Sequence, residues 1–355
     1  MASLTRFDNR DIVNDTSKVT TSTWSGNTNA LTTVHTSSTQ AILGTPTSSG
    51  THYINVYDKA TSDSTAEVQY SVAYGHINGS GSLDFTNAVG SIGHSPSKNI
   101  YSQYRQLVFG DETQKFTFDE HIPDDIYVIN INRARYKHNL KPGSLNLTIR
   151  SGSLGMSAGI SRILKLTDDS ITATGSSKVT NAGRQFNIVS GSSGVRLGTT
   201  LTQTTNSGSF GLFYPDAGFL ILNPDAIDHY LDGTPINQGG VVPNVSSNTQ
   251  GDNHIKLLHA IDSGSNFIVD SEEKISSTYY FARVKNYENN YTTNPSFVDN
   301  SGNVLINSMI DNPTVYITTV GLYNEGGELL AVAKLSQPVT KDFTKEALIR
   351  IKLDY

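Results

Sequence analysis

Gly155-Met156-Ser157-Ala158-Gly159 has the Gly-x-Ser-x-Gly spacing of a nucleophile elbow, where a sharp strand-to-helix turn presents a serine hydroxyl for acyl transfer. An elbow needs an apolar strand before it, and Ser151-Gly152-Ser153 is too polar to be one. With 30 glycines in the chain, the spacing is expected by chance. His254 and His259 are five residues apart, so they cannot share a helix face as an i, i+4 zinc pair does. His229 stands beside Asp228 and near Asp232, a grouping usual at a solvated helix end. Asp299-Asn300-Ser301-Gly302-Asn303 lacks the spaced carboxylates and terminal glutamate of a calcium loop and reads as a hairpin turn. Carboxylates are adjacent at Asp124-Asp125, Asp168-Asp169 and Glu272-Glu273. Glycoside hydrolysis needs two carboxylates converging across a cleft, and neighbours on a strand point to opposite faces. The expectation is a protein that is not an enzyme and uses no metal or cofactor.

The elements around these residues are mostly strands. Thr, Val, Ile and Tyr are plentiful, and only 16% of the chain is charged, which favours strands and turns over helices. Strands are expected at Tyr53–Tyr57, Ala66–Tyr74, Lys115–Phe118, Ile126–Ile131 and Leu145–Ile149. Shorter ones follow at Ile163–Leu166, Ser170–Ala173, Gln185–Val189, Gly194–Thr200 and Phe210–Tyr214, then a long one over Val269–Lys285. Ala66, Val68, Tyr70, Val72 and Tyr74 alternate, so that strand should bury one face and wet the other. Turn signals every eight to twelve residues or so point to antiparallel sandwich or barrel-like modules. A few short helices punctuate them. Ser97 caps one over Lys98–Phe109, with Ile100, Tyr104 and Leu107 on its buried face. Asn223-Pro224-Asp225 opens another, and a third covers roughly Asp252–Ile261. The last two read as plugs or struts between strands.

Four blocks result: a Ser/Thr-rich arm over 1–50, a β-rich region over 51–150 with one helix, a β-rich middle over 151–275, and a C-terminal β-module over 276–355 that could pair with 51–150. The arm is too polar to fold alone. Trp24, the only tryptophan, is expected either to anchor the arm on another subunit or to pack on the chain's own core. Net charge is −6 and basic residues are scattered, which argues against nucleic-acid binding. Arg133 and Arg135 would share one face of a strand and are read as an interface feature needing carboxylates opposite. There are no cysteines, so no disulfide holds the fold. No apolar leader precedes Arg10 and no run is long enough to span a membrane, so synthesis in the cytoplasm is expected.

The most distinctive stretch is Val315-Tyr316-Ile317-Thr318-Thr319-Val320-Gly321-Leu322-Tyr323, then Asn324-Glu325-Gly326-Gly327, then Glu328-Leu329-Leu330-Ala331-Val332-Ala333-Lys334-Leu335. Two β-rich runs flank glycines able to take positive φ, the signature of a hairpin. A final strand over Leu348–Leu353 follows, with Ala347, Ile349, Ile351 and Leu353 on its buried side. Deleting residues 346–355 should prevent folding or assembly.

This segment, with Ile100–Leu107, Ile126–Lys137 and Phe281–Asn286 leading to Asn294-Pro295, resembles virion structural proteins of contractile-tailed phages, notably those of cyanobacteria. The resemblance covers under half the chain and carries no catalytic residue. It implies a non-catalytic scaffold of the tail, most naturally in the baseplate wedge, present in several copies per virion and bound to other tail and baseplate proteins. A receptor-binding or fibre-associated module, or a neck or capsid decoration protein, is the alternative. Trp24, Arg133, Arg135, Tyr316, Tyr323, Ile349, Ile351 and Tyr355 are the expected interface residues.

Overall fold

The computed structural model describes residues 5–36, 53–81, 96–150, 163–172, 178–197, 208–232 (side chains to 228), 253–292 and 294–355. The fold is mainly β, with large antiparallel sheets, one of them curled into a half-barrel. The chain forms two compact units, one of residues 19–273 and one of residues 1–18 with 274–355.

In chain order the strands are β1 (Ile12–Ser22), β2 (Tyr53–Tyr57), β3 (Val68–His76), β4 (Asp125–Ile131), β5 (Asn139–Leu140), β6 (Asn146–Arg150), β7 (Ile163–Asp168), β8 (Lys178–Thr180) and β9 (Gly183–Ser192). They continue as β10 (Val195–Arg196), β11 (Gly211–Tyr214), β12 (Phe219–Leu222), β13 (Phe267–Ile268), β14 (Asp270–Val284), β15 (Val315–Tyr323), β16 (Leu329–Lys341) and β17 (Ala347–Asp354). The helices are α1 (Pro96–Phe109), α2 (Pro224–Asp232) and α3 (Asn253–Gly264).

The larger unit is built on one sheet in the order β13-β6-β7-β9-β11-β12-β4-β3-β2, with β8 and β10 paired to β9. Residues 51–150 and 151–275 thus contribute to the same sheet, joined where Phe219–Leu222 pairs Tyr127–Asn130. One face carries Tyr70, Val72, Tyr127, Ile129, Leu147, Leu164, Phe213 and Leu220 and closes around α3 through Ile255, Leu257, Leu258 and Ile261. α3 packs against β6 towards one end of the sheet and β2 and β3 at the other, so it plugs the curl. Asn223 caps α2 as its sequence predicts, its Oδ1 accepting from the Ala226 N–H at 3.4 Å.

The opposite face is covered by α1. Tyr101, Tyr104 and Val108 lie on Ala73, Val128, Leu212, Phe219 and Ile221. β3 departs from the alternation rule by burying both faces: α1 covers Ala73, and Gln69, hydrogen-bonded to Ser25, is enclosed as well as Tyr70 and Val72. The buried stripe of α1 is also rotated by one residue from expectation. Tyr101 and Val108 face inward while Leu107 is exposed, because the two tyrosine rings offer more area to bury. Gly75 makes the close approach possible, since a Cβ there would stand 2.9 Å from the Tyr101 backbone nitrogen. The helix begins at Pro96, and Ser97 sits in its first turn with its hydroxyl donating to the Ser80 carbonyl at 2.9 Å. Lys115–Phe118 is not a ladder strand; Phe116 and Phe118 are buried, and Phe118 makes a single bridge to His121. Ser170–Thr172 is a turn.

The smaller unit is a sandwich. A sheet in the order β1-β14-β17 presents Tyr280, Ala282, Ile349 and Ile351 to the two-stranded β15-β16 hairpin, which answers with Ile317, Val320, Leu322, Ala331 and Ala333. β17 pairs β14 antiparallel from Ser277↔Asp354 to Val284↔Ala347, so the final strand joins a sheet of its own chain. Its burial alternates as its sequence predicts, with Ala347, Ile349 and Ile351 inward and Leu348, Arg350 and Lys352 outward. Lys341 at the end of β16 is wholly buried, its ammonium donating to the carbonyls of Asn286 and Glu288 and to Asn290 Oδ1.

Candidate interaction surface

The β15-β16 hairpin turns on the tetrad Asn324-Glu325-Gly326-Gly327, with Gly327 at φ 80°. Asn324 braces the turn: its Oδ1 accepts from the Glu328 N–H at 2.8 Å and its Nδ2 donates to the Glu328 carboxylate at 2.7 Å. Its inner face is spent on the sandwich core. Towards the turn its outer face exposes apolar side chains: Tyr323, Leu329 and Val332 are 46%, 52% and 58% exposed. They are contiguous, because Val332 is paired with Gly321 and the side chains of Tyr323 and Leu329 lean over that glycine. Leu330, beside a register shift, is 69% exposed. Each such side chain gains roughly 1.5–3 kcal/mol when fully buried. Grouped apolar exposure of this kind is uncommon on a folded surface.

The opposite outer surface of the sandwich is cationic and aromatic. The Arg350 guanidinium and the Lys352 ammonium stand 5.5 and 6.0 Å from the Tyr279 ring centroid. Among the residues expected at contacts, Tyr316 and Tyr323 are exposed on the hairpin, and Tyr355 is exposed with its hydroxyl hydrogen-bonded to Thr278 Oγ1 at 2.9 Å. Ile349 and Ile351 are spent inside the sandwich and offer nothing to a neighbour. Trp24 takes the second of its two expected positions. It is 2% exposed in the core of the larger unit, its indole N–H donating to the Phe267 carbonyl at 2.8 Å and its ring edge-on to Phe267 at 4.9 Å.

Arg133 and Arg135 do not share a strand face. They lie in a 3₁₀ turn capped by Asn132, whose Oδ1 accepts from the Ala134 N–H at 2.9 Å. Arg133 lies over the Tyr136 ring at 4.6 Å, and Arg135 pairs with Glu67 at 2.6 Å. The carboxylate that Arg135 requires thus comes from its own chain. The Asn at 132 was the signal for that turn. Leu329, Leu330 and Val332 were not singled out from sequence, because which hairpin face is covered depends on β14 and β17.

The residues that could do chemistry are mostly held in structural roles. Ser157 and the rest of its motif lie outside the described residues, as do the side chains of His229 and Asp232. Asp299 braces a turn by accepting from the Ser301 and Asn303 N–H groups. Adjacent carboxylates diverge as expected for a strand: Asp124 pairs with Lys115 at 2.8 Å, and Asp125 is buried. Asp168 fixes the Gly143 turn through its N–H at 2.7 Å, and Asp169 holds Asn187 at 2.9 and 3.0 Å. Burial and the nearby Asp225 carboxylate push Asp125 up to about 7, and the Tyr74 hydroxyl donates to it at 3.2 Å. Asp225 is itself engaged by His121 at 2.7 Å. Among the described residues no group of three or more histidines and carboxylates is placed to hold a metal, and no helix is long and apolar enough to cross a membrane. No family model matches the chain, and neither a curated protein nor a solved structure matches it.

Proposed function

We propose that this protein is a non-catalytic structural subunit of a contractile phage tail, in the baseplate wedge region, that works by binding neighbouring tail proteins in the assembled virion. The observation that carries the reading is the uncovered apolar strip of Tyr323, Leu329 and Val332 on the β15-β16 hairpin. It falls in the segment whose wording resembles phage virion proteins. Its occupant is an apolar face of another tail protein, and the mechanism is geometric: neighbours are fixed in place and no substrate is turned over. Cryo-EM of the intact virion, with this chain traced, tests the reading. Density for the chain in the baseplate with Leu329 and Val332 covered by a neighbour is the expected result. Density at a distal fibre tip, with the strip bare, transfers the assignment to receptor binding. Absence of the chain from the particle refutes both.

A further inference from the structure

The sheet face that α1 covers is left bare at one end, where a groove of about 390 Å³ opens in the larger unit. Its floor is a row of polar side chains aligned by the strand register. Asn55 of β2 is paired with Ser71 of β3, and Ser71 with Asn130 of β4. Tyr53 from β2 and Ile100, Gln103 and Tyr104 from α1 stand around it, with Arg133 at one end. The side chains of Asn55, Ser71, Asn130 and Gln103 have no hydrogen-bond partner in the protein among the described residues. That is unusual company for a sheet face beside a helix, where the next row along is apolar Ala73 and Val128. Side-chain amides left unpaired on a rigid sheet are positioned donors and acceptors.

We propose that this groove is a saccharide-binding site. Neighbouring strands are about 4.8 Å apart, so the row of three polar groups spans roughly 10 Å, about the length of two linked sugar rings. An amide offers a donor and an acceptor to one vicinal diol, and the row contains two amides with a hydroxyl between them. Tyr53, 44% exposed, supplies ring surface for the apolar C–H side of a sugar. Among the described residues no carboxylate lines the groove. Arg133, whose guanidinium also donates to the Tyr136 carbonyl, is the one formal charge among the described residues that line it. That composition suits neutral or singly acidic sugars and not a polyanion. The volume lies at the low end of small-ligand sites, about 300–1,000 Å³, which is room for one or two sugar units. The hairpin strip belongs to the smaller unit, so the saccharide site and the assembly reading stand or fall separately.

The test uses the full chain, isotopically labelled, titrated with maltotriose, chitotriose and an oligogalacturonate. The side-chain amide resonances of Asn55, Gln103 and Asn130 are followed, assigned from the variants Asn55→Ala, Gln103→Ala and Asn130→Ala. At least one oligosaccharide should shift all three saturably, and Asn55→Ala with Asn130→Ala should weaken it by roughly tenfold or more at an unchanged melting temperature. Tyr53→Ala, remote from the hydrophobic core, should weaken it as well. If no sugar shifts these amides, or if shifts elsewhere survive the double variant, the proposal is overturned. Should the double variant fail to fold, the native resonances alone decide.

Discussion

Replacing Trp24 distinguishes a core residue from a subunit anchor in the isolated chain. The indole is buried against Tyr70 and Phe267, at ring distances of 6.1 and 4.9 Å, and donates to the Phe267 carbonyl. Truncating a buried aromatic to alanine costs about 3–5 kcal/mol. The lost hydrogen bond adds only about 1 kcal/mol, because the Phe267 carbonyl still accepts from the Leu31 N–H at 2.9 Å and is not orphaned. Trp24→Ala should therefore destabilise the larger unit by about 5 kcal/mol, and Trp24→Phe, which keeps most of the ring, by about 2 kcal/mol. With a urea m-value of roughly 2–3 kcal/mol/M, the alanine variant lowers the midpoint by about 2 M. Circular dichroism is the assay, since the substitution removes the only tryptophan fluorophore. A midpoint unchanged within error in the isolated chain, together with lost assembly, would refute the reasoning and return Trp24 to the subunit surface.

Three further outcomes are expected. The folded chain holds a proton on Asp125 up to about pH 7, whereas the ordinary carboxyl releases it near 3.8. The stability owed to that proton is complete below about pH 4 and is lost as pH rises through 7, with a ceiling of roughly 4 kcal/mol. Asp125→Asn should thus gain on the native chain between about pH 5 and pH 8, and a pH-independent difference in melting temperature would count against the burial argument. Lys341→Met takes the ammonium from the Asn286 and Glu288 carbonyls and from the buried Asn290 Oδ1, and should cost the smaller unit about 2 kcal/mol; denaturation showing under about 1 kcal/mol would mean that water replaces it. Gly75→Ala pushes a methyl to 2.9 Å from the α1 backbone and should cost about 2 kcal/mol by overpacking, read as a lowered melting temperature.

The elements were more legible than their company. β17 is clear from its alternation and the hairpin from Asn-Glu-Gly-Gly, because side-chain period and turn chemistry are local properties. The Asn-Pro-Asp opening of α2 is legible for the same reason. The partner of β4 on its far side is not, since Asn130 meets Phe219 across an intervening chain that contains several other strands. The second buried face of β3 and the stripe of α1 are equally long-range, since each depends on which helix lies on which sheet. The row of Asn55, Ser71 and Asn130 was invisible too: each is an ordinary strand polar residue until two registers are known. Arg133 and Arg135 illustrate the opposite case, where a local cue, the Asn132 cap, was present and outweighed by the apolar strand before it.

The smaller unit is interrupted in sequence, with residues 1–18 separated from 274–355 by the whole of the larger one. On the ribosome β1 therefore emerges long before β14 exists to pair with it. At about 5–20 residues per second the wait is roughly 15–50 s. A lone strand that long in solution is an aggregation risk. The sequence of β1, Ile-Val-Asn-Asp-Thr-Ser-Lys-Val-Thr-Thr-Ser, is suited to waiting: its polar residues keep it soluble, and most of it stays exposed even in the finished sheet. A strand with so few apolar residues at the edge of this sandwich is thus compatible with an order of synthesis that leaves it unpaired until β14 follows.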